Sequence, residues 1–104
     1  MVFINRQARV DLDNIVIGLL EWEKITLTIQ EVLHYVDDIT EICYQLDGFI
    51  YHQPAKYSTH LQYGTYSYPY KRNKSTTWYL IYDIDTSNNI IYVNKIISNY
   101  LTIS

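Results

Sequence analysis

Glycine and proline are scarce in this chain of 104 residues, with three of one and two of the other. No repeat and no low-complexity linker is present, so the whole of residues 1–104 reads as a single domain. A single cysteine, Cys43, excludes an internal disulfide. It falls on the apolar stripe of a helical segment, which predicts a buried, reduced thiol. No apolar run is longer than Ile15 to Leu20, far short of a membrane span, so no membrane partner is expected. The opening MVFINRQARV lacks the apolar core of a signal peptide, and cytoplasmic residence is the expectation. His34, His52 and His60 have only Cys43 as a soft partner, and neither C-x-x-C nor H-E-x-x-H occurs, so no metal and no cofactor is expected. No glycine loop carries a lysine for nucleotide phosphates. Burial of Cys43 also argues against a Cys-His hydrolase.

What is present is apolar, aromatic and unevenly charged. Nearly half the residues are apolar and 18% are charged, which excludes a disordered chain. A domain of this length buries roughly two-thirds of its unfolded surface and folds without staples. The net charge is -3, but residues 1–50 set Arg6, Arg9 and Lys24 against nine carboxylates, a balance of -6. Residues 51–104 set Lys56, Lys71, Arg72, Lys74 and Lys95 against Asp83 and Asp85, a balance of +3. Unless this is ordinary scatter of surface charge, it gives an acidic helical face and a basic sheet face.

The periodicity changes once along the chain. Val2 to Ile4 suits a short first strand. Asn5 is placed to cap a helix whose apolar positions Ala8, Leu12, Ile15, Val16, Leu19 and Leu20 share one face. Gly18 interrupts that helix at a cost of about 1 kcal/mol, which a close contact with a neighbouring element would explain. Thr28 and Glu31 form a T-x-x-E capping box ahead of the stripe Ile29, Val32, Leu33, Val36, Ile39, Cys43 and Leu46. Gly48 after Asp47 predicts a left-handed stop. A short break near Trp22 to Ile25 makes the two helices an antiparallel hairpin. Phe49 to Gln62 reads as a connection.

From Tyr66 the period becomes two. Tyr66, Tyr68 and Tyr70 alternate with small residues, and Pro69 places that strand at an edge or a bulge. Lys71 to Thr76 is a turn. Trp78, Leu80, Tyr82 and Ile84 alternate with Tyr79, Ile81 and Asp83. Asp85 to Asn89 is a second turn. Ile90, Tyr92, Asn94 and Ile96 alternate with Ile91, Val93, Lys95 and Ile97. The predicted class is α+β, in the order β-α-α-β-β-β: a short strand and a helical hairpin packed on a three- to four-stranded antiparallel sheet.

Lys71, Arg72 and Lys74 lie at a turn flanked by Tyr70 and Tyr79. Cations beside aromatic rings suit single-stranded RNA, where cations meet phosphates and rings stack on bases. A basic turn also serves simply to keep a loop solvated. Most of the twelve tyrosines are strand residues with the ring inward. Tyr100 lies past the last strand, where it either caps the core edge or serves as a proton donor or acceptor in phosphodiester cleavage. The carboxylates of Asp37-Asp38 and of Asp83 with Asp85 read as solvated groups, not a catalytic pair.

With that order in place, the chain resembles the RelE/ParE superfamily of toxins from toxin–antitoxin modules, often labelled plasmid-stabilisation proteins. Ala8-x-x-Asp11-Leu12-x-x-Ile15 resembles the family's A-x-x-D-L-x-x-I. The stripe ending in Leu46 resembles its second helix, and Tyr63-Gly64 the glycine that opens its sheet. Trp78-Tyr79-Leu80-Ile81-Tyr82 resembles its central strand, and Ile91 to Ile97 with Asn99-Tyr100 its last strand and terminal aromatic. The resemblance implies an antitoxin partner and one of two actions. One branch is a metal-free endoribonuclease acting on mRNA in the ribosome, in which an RNA 2′-hydroxyl attacks the adjacent phosphate while cations stabilise the developing charge. Carried over, Tyr100, Lys71 and Lys74 form the catalytic set, and Arg72, Tyr79 and Lys95 bind RNA. The other branch poisons a protein target such as gyrase by binding. A further alternative is an inactive relic of the toxin fold. Tyr79 stands where the family commonly carries an arginine and the sequence pI is about 5.4, both of which favour binding.

Overall fold

The computed structural model describes residues 1–21 and 27–100, so the expected break near Trp22 to Ile25 lies outside the described residues. The elements are β1 (Val2–Ile4), α1 (Arg6–Glu21), α2 (Ile29–Gln45), a single 3-10 turn (Leu46–Gly48), the short α3 (Ser58–Leu61), β2 (Tyr66–Lys71), β3 (Thr77–Asp85) and β4 (Ile90–Ser98). The class is α+β and the order is the expected one. β2, β3 and β4 form an antiparallel meander, and β1 joins β4 in parallel, giving one mixed sheet in the order β1-β4-β3-β2. β2 is therefore an edge strand, where Pro69 withholds no hydrogen bond that a neighbour needs.

Thr28 caps α2 through a 3.1 Å bond from the Glu31 amide to its hydroxyl oxygen, and the same hydroxyl donates to the Glu31 carboxylate at 3.2 Å. Asn5 directly precedes α1, and its carbonyl accepts from Arg9 N at 3.0 Å, but its side-chain amide donates across to Asn94 Oδ1. The end of α2 departs from expectation. Gly48 is not left-handed, and the helix instead tightens into the 3-10 turn, closed by Phe49 N to Leu46 O at 3.3 Å. The left-handed residue is Asn89 (φ 55°), at the β3–β4 turn, where Asp85 Oδ1 accepts from Ser87 N and Asn88 N. Phe49 to Gln62 is more than a connection. It contains α3, and Pro54 bridges to Tyr66 beyond β2.

The core lies between the helices and one face of the sheet. Val36, Ile39 and Cys43 from α2 meet Ala8, Leu12 and Ile15 from α1, over Leu80, Tyr82, Ile91, Val93 and Ile96, and Val32 is buried as well. Each fully buried large aliphatic here, such as Ile39 or Leu80, contributes about 1.5–3 kcal/mol. The strict alternation expected for β4 breaks at Asn94. Tyr82 is opposite Val93 and Ile81 opposite Lys95, so Asn94 is an extra residue in a bulge. The phase shift puts Ile96, not Lys95, in the core beside Leu80. On the other face, Ile81 and Ile97 are buried, and the rings of Tyr57 and His60 pack on Tyr79. Gly64 passes this close to β3 because it has no side chain. A Cβ there would lie 2.9 Å from the Tyr82 carbonyl oxygen.

Candidate functional site

The basic turn between β2 and β3 is held by its own polar groups. Asn73 Oδ1 accepts from Ser75 N and Thr76 N, both at 2.9 Å, and Arg72 N donates to Thr76 O at 2.9 Å. Asn99 ties the end of β4 to this turn. Its Oδ1 accepts from Thr77 N at 3.0 Å, its backbone amide donates to Thr77 O at 2.9 Å, and its Nδ2 donates to Ser75 O at 3.0 Å. Lys71 is registered with Thr77 on the other side. At ordinary strand spacing the Lys71 and Asn99 backbones are about 10 Å apart. The fold thus brings Lys71, Lys74 and the residue after Asn99, the exposed Tyr100, to one end of the sheet.

The three residues expected to bind RNA are not available in the same way. Arg72 turns back onto α2. Its Nη1 sits 2.6 Å from Asp38 Oδ2 and 3.2 Å from the Tyr70 hydroxyl, and its guanidinium lies over the Tyr35 ring at 4.3 Å. The Tyr35 hydroxyl in turn accepts from Trp78 Nε1 at 2.8 Å. Arg72 is a clamp between the turn and the helix. Lys95 is committed to Asp11: Nζ to Oδ1 is 2.9 Å, with both side chains largely buried, and the ammonium lies 5.3 Å from the Tyr63 ring centroid. Tyr79 is half-buried against Tyr57 and His60, and burial followed by the neighbouring Tyr57 raises its phenol above the ordinary range.

Asp11 is the residue that pattern reading underrated. β1 pairs only with Ile91 to Val93, leaving the rest of β4 without a strand on that side. α1 closes the gap: Asp11 Oδ2 accepts from Ile96 N at 2.9 Å, while Gln7 Nε2 and Lys95 both reach Oδ1. The signal in the sequence is an acid one turn before Ile15, next to the buried Leu12. Between α1 and this edge lies a groove of about 520 Å³, lined by Ile15, Leu19, Trp78 and Ile96 together with Asp11 and Lys95. Gly18 lines it, and a Cβ there would meet nothing within 4 Å, so no close neighbour explains this glycine.

The other groups with chemical potential serve the fold. Burial pushes the Cys43 thiol up to about 12, which removes it as a nucleophile. Asp83 is partly exposed and accepts from Thr65 N at 2.9 Å and from Asn94 Nδ2 at 2.9 Å. The Tyr82 hydroxyl shares a 2.8 Å hydrogen bond with His52 Nδ1, and burial, then Tyr66 and Tyr68, push that phenol up to about 12. Among the described residues no group of His, Cys, Asp and Glu has the geometry of a metal site, and no helix is long and apolar enough to cross a membrane. No family model, curated protein or solved structure matches this chain.

Proposed function

We propose that the chain is a RelE/ParE-like toxin component that acts by binding a protein target, with an antitoxin as its natural inhibitor. The observation that carries the binding mode is the commitment of Arg72 to Asp38 and of Lys95 to Asp11. Stabilising a pentacoordinate phosphate needs cations free to face it, and two of the four expected here are neutralised within the fold. The negative net charge works in the same direction, because it disfavours a ribosomal target. A gyrase-type inhibitor is the nearest action that the resemblance offers.

The second reading, a ribosome-dependent mRNA endonuclease, is favoured by one arrangement: Lys71, Lys74 and the exposed Tyr100 share one end of the sheet. Induction of the chain in bacteria without an antitoxin separates the two. Growth arrest that persists in Tyr100→Phe and in Lys71→Ala/Lys74→Ala, with intact mRNA, is the expected result. Arrest relieved by either variant, with mRNA cut at codon boundaries, transfers the assignment to the endonuclease. Normal growth at good expression overturns both.

A further inference from the structure

The outer side of the helical hairpin sets exposed apolar residues among carboxylates. On α1, Val10, Asp13, Ile17 and Leu20 lie about half a turn round the helix from the buried Ala8, Leu12 and Ile15. Val10, Ile17 and Leu20 are 40–51% exposed. On α2, Ile29, Leu33, Asp37 and Glu41 follow one another at four-residue steps, all exposed, beside the buried Val32, Val36 and Ile39. Neither stripe contributes to the core. A surface helix ordinarily needs only its inward apolar face, and a second one rimmed by charge marks an interaction surface.

The charge on this surface is mostly negative, with Arg6 and Arg9 as exposed cations at the start of α1. Between residues 10 and 45, Asp13, Glu21, Glu31, Asp37 and Glu41 are exposed and take part in no ion pair among the described residues. The sole lysine or arginine of that stretch, Lys24, lies outside the described residues and follows Glu23 in sequence. Nucleic acid and anionic membrane are repelled by such a face. A second copy docking the same face on itself would bring like carboxylates together. What fits is opposite charge on an apolar ridge.

We propose that this face of α1 and α2 docks a cationic amphipathic helix of a protein partner. Its apolar side would lie along Ile17, Leu20, Ile29 and Leu33, and its Lys or Arg residues would meet Asp13, Glu31 and Asp37. The proposal deepens the protein-binding reading above and rests on it for its biological meaning, while the docking itself is measured without cells.

The probe is a fluorescent peptide of about 18 residues, five helical turns, made of Leu and Lys in amphipathic register. It is titrated into the full chain by anisotropy, beside the same peptide with Glu for Lys. The Leu/Lys peptide binds and the Leu/Glu peptide does not. Ile17→Lys/Leu33→Lys weakens binding by about tenfold or more, whereas Asp85→Asn, at the far β3–β4 turn, leaves it unchanged. Circular dichroism confirms that the variants fold. Equal binding of the two peptides, or undiminished binding by Ile17→Lys/Leu33→Lys, overturns the proposal. So does a dimer of the wild-type chain in sedimentation equilibrium that Leu33→Lys dissociates, since a second copy then covers the face. Loss of growth arrest in a variant that has lost the peptide joins the two readings. Peptide binding by a chain that never arrests growth leaves the docking face standing and removes the toxin.

Discussion

The sheet and the helical hairpin use charge in opposite ways. On the sheet side, Arg72 in the β2–β3 turn and Lys95 on β4 are paired with carboxylates on the helices, Asp38 and Asp11. On the hairpin, Asp13, Glu31 and Asp37 face outward with no cation of the chain in ion-pair range among the described residues. The residue types are ordinary in both places. The difference is which side chains find an opposite charge within the fold. A cation that has found one holds elements together, and a carboxylate that has not is open to a partner.

The sharpest way to break this contrast is to remove an inward carboxylate and compare it with an outward one. Asp11→Ala strands the Lys95 ammonium and leaves Ile96 N without its acceptor, and it should cost about 3 kcal/mol. Asp37→Ala should change stability by less than about 0.5 kcal/mol. Urea unfolding of the two variants reads both, and equal losses would show that the hairpin carboxylates are structural after all.

Gly18 offers a smaller effect of opposite sign. Since a Cβ there meets nothing within 4 Å, Gly18→Ala should stabilise the chain by about 1 kcal/mol through helix propensity. A loss instead, seen as a lower thermal midpoint, would mean that the groove beside α1 is closed by an element that needs the space.

The smallest effect comes from the second face of the sheet. His60 is buried against Tyr57 and Tyr79, and burial holds its imidazole below the ordinary value near 6.5. The unfolded chain therefore takes up the proton first. His60 contributes its full share of stability above about pH 6.5 and loses it progressively as the pH falls below that value. Urea midpoints between pH 8 and 5 should fall more steeply for the wild type than for His60→Asn; parallel slopes would place the titration elsewhere.

Much of the architecture was legible because it depends on local pattern. The capping box at Thr28, the stripe of Val32, Val36, Ile39 and Cys43, the alternation in β3 and the edge position of Pro69 each follow from periodicity or backbone chemistry within a few residues. The errors fall where a distant partner decides. Ile29 and Leu33 have the helical spacing of core residues but lie past the ground that the sheet and α1 cover. The Asn94 bulge moves Ile96 into the core because β4 must stay paired with β3 while Asp11 takes the Ile96 amide. At the candidate site, grouping Lys71, Lys74 and Tyr100 at one end of the sheet was within reach of a strand reading. The loss of Arg72 and Lys95 was not, because Asp38 and Asp11 lie 34 and 84 residues away.

The sequence by itself determined the α+β class, the order of elements, the lone thiol and the division into an acidic half and a basic half. Those are sums over residues or repeats along a few turns, and they need no neighbour in space. Only the tertiary structure decided which charges remain free. An ion pair depends on distances of a few ångströms between elements far apart in the chain, and the packing of α1 on β4 and of the β2–β3 turn on α2 sets those distances.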